Sequence, residues 1–151
     1  METIYFVRHG SYTMSDLLSP RGAQEIATLA EKIKSATNGL SVLILTSTAP
    51  RASQSAIIIK TILGAEVKES PALWSDNEHP KDLQKALALI KAEKDHVDVL
   101  IIVTHYEYTE RLPGYFAKEV LGVPLCSELN LVEKGQAWVI DCIKKTMTRL
   151  T

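Results

Sequence analysis

The sequence holds only two cysteines, Cys126 and Cys142, in 151 residues. Two thiols in no recurring spacing exclude a disulfide-stapled scaffold and a zinc site, and both are expected to be reduced core thiols. An excess of one charge is also missing, with 17 basic residues against 18 acidic ones and a net charge of −1. Without a basic excess or a block of like charge, composition points to no nucleic-acid partner. No apolar run approaches the ~20 residues that cross a bilayer. The first such run starts at Ile4, which leaves no room for the charged and apolar regions of a secretory leader. No membrane partner and a cytoplasmic location are the expectation. Internal repeats, linkers and low-complexity segments are lacking too. Residues 1–151 therefore read as a single domain, long enough to bury about two-thirds of its unfolded surface.

What the chain does have is a set of short, continuous aliphatic runs. Ile4-Tyr5-Phe6-Val7, Val42-Leu43-Ile44-Leu45 and Val99-Leu100-Ile101-Ile102-Val103 read as strands buried on both faces of a parallel sheet. Helical spacing fills the intervals. Ser19 as amino cap and Pro20 open a helix with Ala23, Ile26, Ala27, Ala30 and Ile33 on one face, ending at Asn38-Gly39. Pro50 opens a second, closed by Gly64, and Leu83, Ala86, Leu87 and Ile90 mark a third. A fourth is expected from Tyr108 to Leu121, interrupted at Pro113-Gly114. Short strands are expected near Ala65–Lys68, Glu128–Val132, Gln136–Cys142 and Thr146–Leu150, and residues 69–82 form a long irregular stretch. The pattern predicts an α/β fold: three layers, α/β/α, around a mostly parallel sheet with antiparallel strands at one edge.

Each of the three long runs ends in groups suited to an anion. The first leads into Arg8-His9-Gly10, the second into Thr46-Ser47-Thr48-Ala49-Pro50-Arg51, the third into Thr104-His105. Ligands of open α/β sheets bind outside the carboxyl ends of the strands, so these residues are candidates for one cluster. Two imidazoles and two guanidinium forks suit a phosphoryl group. A neutral imidazole is a competent nucleophile, and planar forks match phosphate oxygens. His9 is the candidate nucleophile, while Arg8, Arg51 and His105 are the candidate phosphate ligands. Gly10 is expected to permit a close backbone approach. His96, in Lys94-Asp95-His96, reads as surface, and His79 as a minor candidate whose loop borders the site.

At these residues the chain resembles the histidine phosphatase superfamily, which includes the phosphoglycerate mutases. The family's opening Arg-His-Gly matches Arg8-His9-Gly10, and its second signature matches Arg51-Ala52, Gln54 and Ala56 within residues 46–56. Its strand ending in Ser/Thr-His matches Thr104-His105, and Leu18-Ser19 with Gly22 is a looser likeness to another segment. The resemblance implies a phosphoglycerate mutase-like fold and phosphorylation of His9 during turnover. It also implies a phosphate pocket of Arg8, Arg51 and His105, with no metal or organic cofactor. Larger members insert a cap carrying a glutamate acid between the second helix and the second histidine. This chain has only a loop and one helix there, and so resembles the compact branch of bacterial phosphohistidine phosphatases.

Ser11 and Tyr106 depart from the residues that usually follow the two signatures, and both are placed at the substrate. Candidates for the acid are Glu78 first, then Asp76 and Glu107. The expected activity is a phosphatase working through a phosphohistidine intermediate on a phosphorylated protein, as a monomer. A small-molecule phosphomonoesterase acting on a phosphorylated metabolite, or a non-catalytic phosphate-binding module, are the alternatives.

Overall fold

A strand buried along its whole length needs an apolar layer on each side, and Val99–Thr104 is buried at all six positions. The structure, a computed structural model, describes residues 1–74, 80–125 and 132–151, without the side chains of residues 80 and 81. In chain order the elements are β1 (Thr3–Arg8), α1 (Pro20–Ala36), β2 (Val42–Thr46), α2 (Pro50–Leu63), β3 (Glu66–Glu69), α3 (Pro80–Glu93), β4 (Val99–Thr104), α4 (Tyr106–Phe116), β5 (Ala137–Asp141) and β6 (Thr146–Leu150). The described strands form one sheet in the order β3-β2-β4-β1-β5-β6. β1 to β4 run parallel, while β5 and β6 add an antiparallel edge.

Period-two alternation divides the strand residues between two cores. Ile4, Phe6, Leu43, Leu45, Leu100 and Ile102 face α3 and α4, where Leu87, Ile90, Leu112 and Phe116 cover them. Tyr5, Val7, Ile44, Ile101 and Val103 face α1 and α2, against Ile26, Ile33, Ala56 and Ile59. The three-layer expectation holds. Among the described residues no helix is long and apolar enough to cross a membrane.

Local chemistry sets the helix ends. Ser19 Oγ accepts from Gly22 N at 3.0 Å and Pro20 takes the first helical position, as the sequence predicts. α1 stops at Ala36, before Asn38-Gly39, where the Thr37 backbone leaves the helical region (φ −117°, ψ 13°) and its Oγ1 donates to the Ile33 carbonyl at 2.8 Å. α2 ends at Gly64, whose φ of 69° suits glycine.

One helix expectation changes. Pro113 does not interrupt α4, which starts at Tyr106, runs through it and continues as a π turn over Ala117–Leu121. Proline costs a helix one N–H bond and a steric contact, about 3 kcal/mol. Burial of Tyr108, Leu112, Pro113 and Phe116 on the sheet offsets that. The strand expected at Glu128–Val132 lies almost wholly outside the described residues, as does Cys126. Cys142 is half-buried, and burial raises its thiol pKa to about 11, which leaves it protonated and inert.

Gly10 and Gly22 let the first loop close on α1. A Cβ on Gly10 would stand 2.6 Å from the Gly22 carbonyl oxygen, and one on Gly22 would stand 2.0 Å from the Ser11 carbonyl oxygen. Both obstacles are backbone and cannot rotate away. Gly10 is therefore needed where its backbone passes the Gly22 carbonyl, and its own carbonyl approaches the His9 ring closely, 2.9 Å from Nδ1. Gly22→Ala should destabilise the fold by about 1–3 kcal/mol, read as a lower denaturant midpoint at unchanged slope.

Candidate active site

Parallel pairing aligns the three strand ends. Arg8 stands opposite Thr104, and Thr46 opposite Val103. The ladder runs one residue further on each side, with His9 N donating to the Thr104 carbonyl and Ser47 N to the Val103 carbonyl, both at 3.1 Å. His9, Ser47 and His105 therefore leave the sheet side by side. Arg51 reaches them from the first turn of α2. Ser55, buried one turn further on, donates to the Arg51 carbonyl at 2.7 Å and accepts from Gly10 N at 3.1 Å, which locks that helix to the His9 turn.

Both imidazoles are 3% exposed, and their rings meet edge-on with centroids 5.2 Å apart. His9 Nδ1 donates to the Gly10 carbonyl at 2.9 Å, which leaves Nε2 with a lone pair facing the pocket. Arg51 Nε donates to that Nε2 at 3.2 Å, and Arg51 Nη2 donates to His105 Nδ1 at 3.2 Å. Guanidinium has no acceptor, so both ring nitrogens must be bare. The proton of His105 then sits on Nε2 and is donated to Ser47 Oγ at 2.7 Å. Toward the pocket His105 is thus an acceptor in this state.

Burial, with the Arg51, Arg8 and Lys134 charges, lowers the His9 pKa to about 4 against the opposing Gly10 carbonyl. Burial again leads at His105, whose pKa falls to about 3 with help from His9, Arg51 and Arg8. Both rings are neutral at physiological pH, as a nitrogen nucleophile requires.

Arg8 donates from Nη1 to the Val132 carbonyl at 3.1 Å, and its carbon Cζ lies 5.1 Å from the centre of the Tyr106 ring. Its Nε is buried without a hydrogen-bond partner among the described residues. A buried guanidinium N–H with no acceptor is costly, and an anion oxygen would satisfy it. The structure brings Arg8, His9, Arg51, His105 and Tyr106 together. Ser11 contributes backbone: its N–H bonds Glu25 Oε1 at 2.8 Å and its carbonyl accepts from Ser19 N and Oγ, both at 2.9 Å. Glu107 sits half-buried in the first turn of α4. Asp76, Glu78 and His79 lie outside the described residues. His96 is beside Glu66, Lys68 and Glu93 at the start of the strands, remote from the cluster.

Sequence reading missed Ser47, Ser55, Tyr12, Asp16 and Lys134. Tyr12 stacks edge-on to His9 at 5.3 Å, with the Arg51 guanidinium 4.9 Å and Lys134 Nζ 5.0 Å from its ring centre. Asp16 Oδ1 pairs with Arg51 Nη1. Ser47 and Ser55 stand inside or beside the Arg51 motif and could have been flagged there. Tyr12, Asp16 and Lys134 occur in polar stretches without periodicity, and only folding puts them beside His9.

Comparison with family profiles and with curated proteins finds no match. Solved structures do match. A protein assigned as phosphohistidine phosphatase SixA from Nakamurella multipartita superimposes with a TM-score of 0.74 at 16% identity, covering 99% of this chain and 94% of that one. The protein histidine phosphatase SixA complexed with tungstate gives 0.71 at 18%, covering 99% and 96%. A mycobacterial glucosyl-3-phosphoglycerate phosphatase in complex with VO3 gives 0.68 at 14%, covering 93% and 92%. With more than nine-tenths of each chain covered, this chain has the phosphoglycerate mutase-like fold shared by these phosphatases.

Proposed function

We propose that the chain is a phosphatase that passes the phosphoryl group through His9, and that its substrate is phosphohistidine presented on a protein surface. One observation carries the reading: a single guanidinium, Arg51, touches the bare nitrogens of two neutral buried imidazoles. An arriving phosphoryl group would take the N–H groups of Arg51 and the unpartnered Nε of Arg8 with its equatorial oxygens. That exchange frees the His9 Nε2 lone pair for in-line attack. The N–P bond forms as the bond to the leaving group breaks, and the leaving group departs with its electron pair and takes up a proton. Positive charge then grows on the His9 ring, where the Gly10 carbonyl already accepts from Nδ1. Water next attacks phosphorus, the N–P electrons return to Nε2, and phosphate leaves.

The protein substrate is favoured by the rim. Tyr12, Trp74 and Tyr106 are 43%, 40% and 39% exposed around the buried histidines, an aromatic surface for a flat ring carried on another protein. A phosphoramidate also breaks with less proton assistance than an alkyl ester, in keeping with a compact chain that lacks the inserted cap.

The test is a turnover panel of a histidine-phosphorylated protein, an aryl phosphate and a sugar phosphate. Phosphohistidine should lead the sugar phosphate by at least about a hundredfold in kcat/KM, the scale of one missing acid. A leading sugar phosphate would make the chain a small-molecule phosphomonoesterase. Phosphate binding without turnover of any of the three would make it a binding module.

A further inference from the structure

We propose that Asp16 is an internal competitor for the phosphoryl pocket: its carboxylate occupies Arg51 in the empty enzyme and must be displaced by any anion that binds, so it weakens the hold on product phosphate. The inference rests on the phosphoryl-binding reading of the site. All three faces of the Arg51 fork are engaged, by His9, His105 and Asp16. The two histidines are neutral and form the pocket wall. Asp16 is the anionic partner among the three, and therefore the one a phosphate oxygen would replace in kind. Its side chain is 34% exposed against 16% for Arg51, which puts the carboxylate on the solvent side with room to swing away.

The loop that delivers Asp16 is built for it. Tyr12 and Leu18 pair as an antiparallel bridge, and Thr13 N donates to the Leu17 carbonyl at 2.8 Å. Asp16 N donates to the Thr13 carbonyl at 3.0 Å and the residue takes a φ of 64°, a left-handed conformation that aspartate, asparagine and glycine tolerate best. Leu18 N donates at 2.7 Å to Oε1 of Gln54, which lies three residues after Arg51 on α2. The helix that carries the arginine thus also anchors the loop that carries its competitor. Tyr12, from the same loop, lies against the Arg51 guanidinium.

Competition of this kind has a thermodynamic signature. An internal ligand that must leave first lowers the affinity of every competing anion by the same factor, the fraction of molecules in which Arg51 is released. A residue that merely shaped the pocket would change two anions differently. The experiment is calorimetric titration of the whole protein with inorganic phosphate and, separately, with tungstate, on wild type, Asp16→Asn and Asp16→Gly. Both substitutions keep the left-handed turn, so each is expected to fold, and the second stands in if the first does not.

The expected result is a Kd lower by about tenfold for both anions and by a common factor in both variants. With turnover, phosphate should become a correspondingly stronger product inhibitor. An unchanged or higher Kd, or gains that differ between the anions by more than about threefold, would overturn the proposal while leaving the phosphoryl pocket standing. If wild type binds neither anion, the phosphoryl reading itself fails, and the proposal with it.

Discussion

His9→Ala is expected to lose at least about a thousandfold in kcat, because in the proposed reaction it removes the atom that would form the covalent bond rather than one that helps. The substitution leaves Arg8, Arg51 and His105 in place, so phosphate should still bind. That split is diagnostic, since a variant that lost binding and turnover together would point to collapse of the pocket. Wild type mixed with labelled substrate and quenched in base should carry label on His9, stable in base and lost in acid, as a phosphoramidate requires. More than a few per cent of wild-type rate in His9→Ala would remove His9 from the nucleophile's role.

The second large effect is on stability. His9 and His105 titrate in the folded chain at about 4 and about 3, against an ordinary 6.5. Between pH 6.5 and 4 the unfolded chain binds protons that the folded chain refuses, so stability falls as pH falls through that window. Shifts of this size correspond to about 3 kcal/mol for each histidine at pH 4, a large share of the 5–15 kcal/mol typical of a domain. Denaturant titrations from pH 7 to 4 should show the decline, and His105→Gln should remove about half of it. A flat profile in wild type would mean that the rings are not held neutral by burial. The same neutrality would keep His9 competent in mild acid as the proposed nucleophile, so the acidic limb of the activity profile should lie below that of an exposed histidine.

How much of this could be read in advance depends on how local each cause is. The buried strands were legible because burial on both faces leaves an unbroken aliphatic run, as in Val99 to Val103. The α1 start was legible because Ser19 and Pro20 act on their own helix. Pro113 misled for the same reason: its penalty is local, while the burial of Leu112 and Phe116 that overrides it depends on a sheet elsewhere in the chain. Arg8, His9, Arg51 and His105 could be grouped before folding because parallel strands bring their ends to one edge. Two cysteines, balanced charge, the strand runs and the Arg-His-Gly and Thr-His strand ends were thus determined by sequence alone.

The tertiary structure decided the rest. The strand order that sets β4 between β1 and β2 is what puts His105 beside both His9 and Ser47. The rings are neutral because burial, a property of the assembled layers, lowers their pKa together with the arginine charges that folding brings near. His105 faces Arg51 as an acceptor because its Nε2–H is donated to the Oγ of Ser47, 58 residues away. And Asp16 meets Arg51, 35 residues on, only because a turn with one left-handed residue folds back onto α2. Contacts of that range carry no period and no spacing, since they are set by how the elements pack.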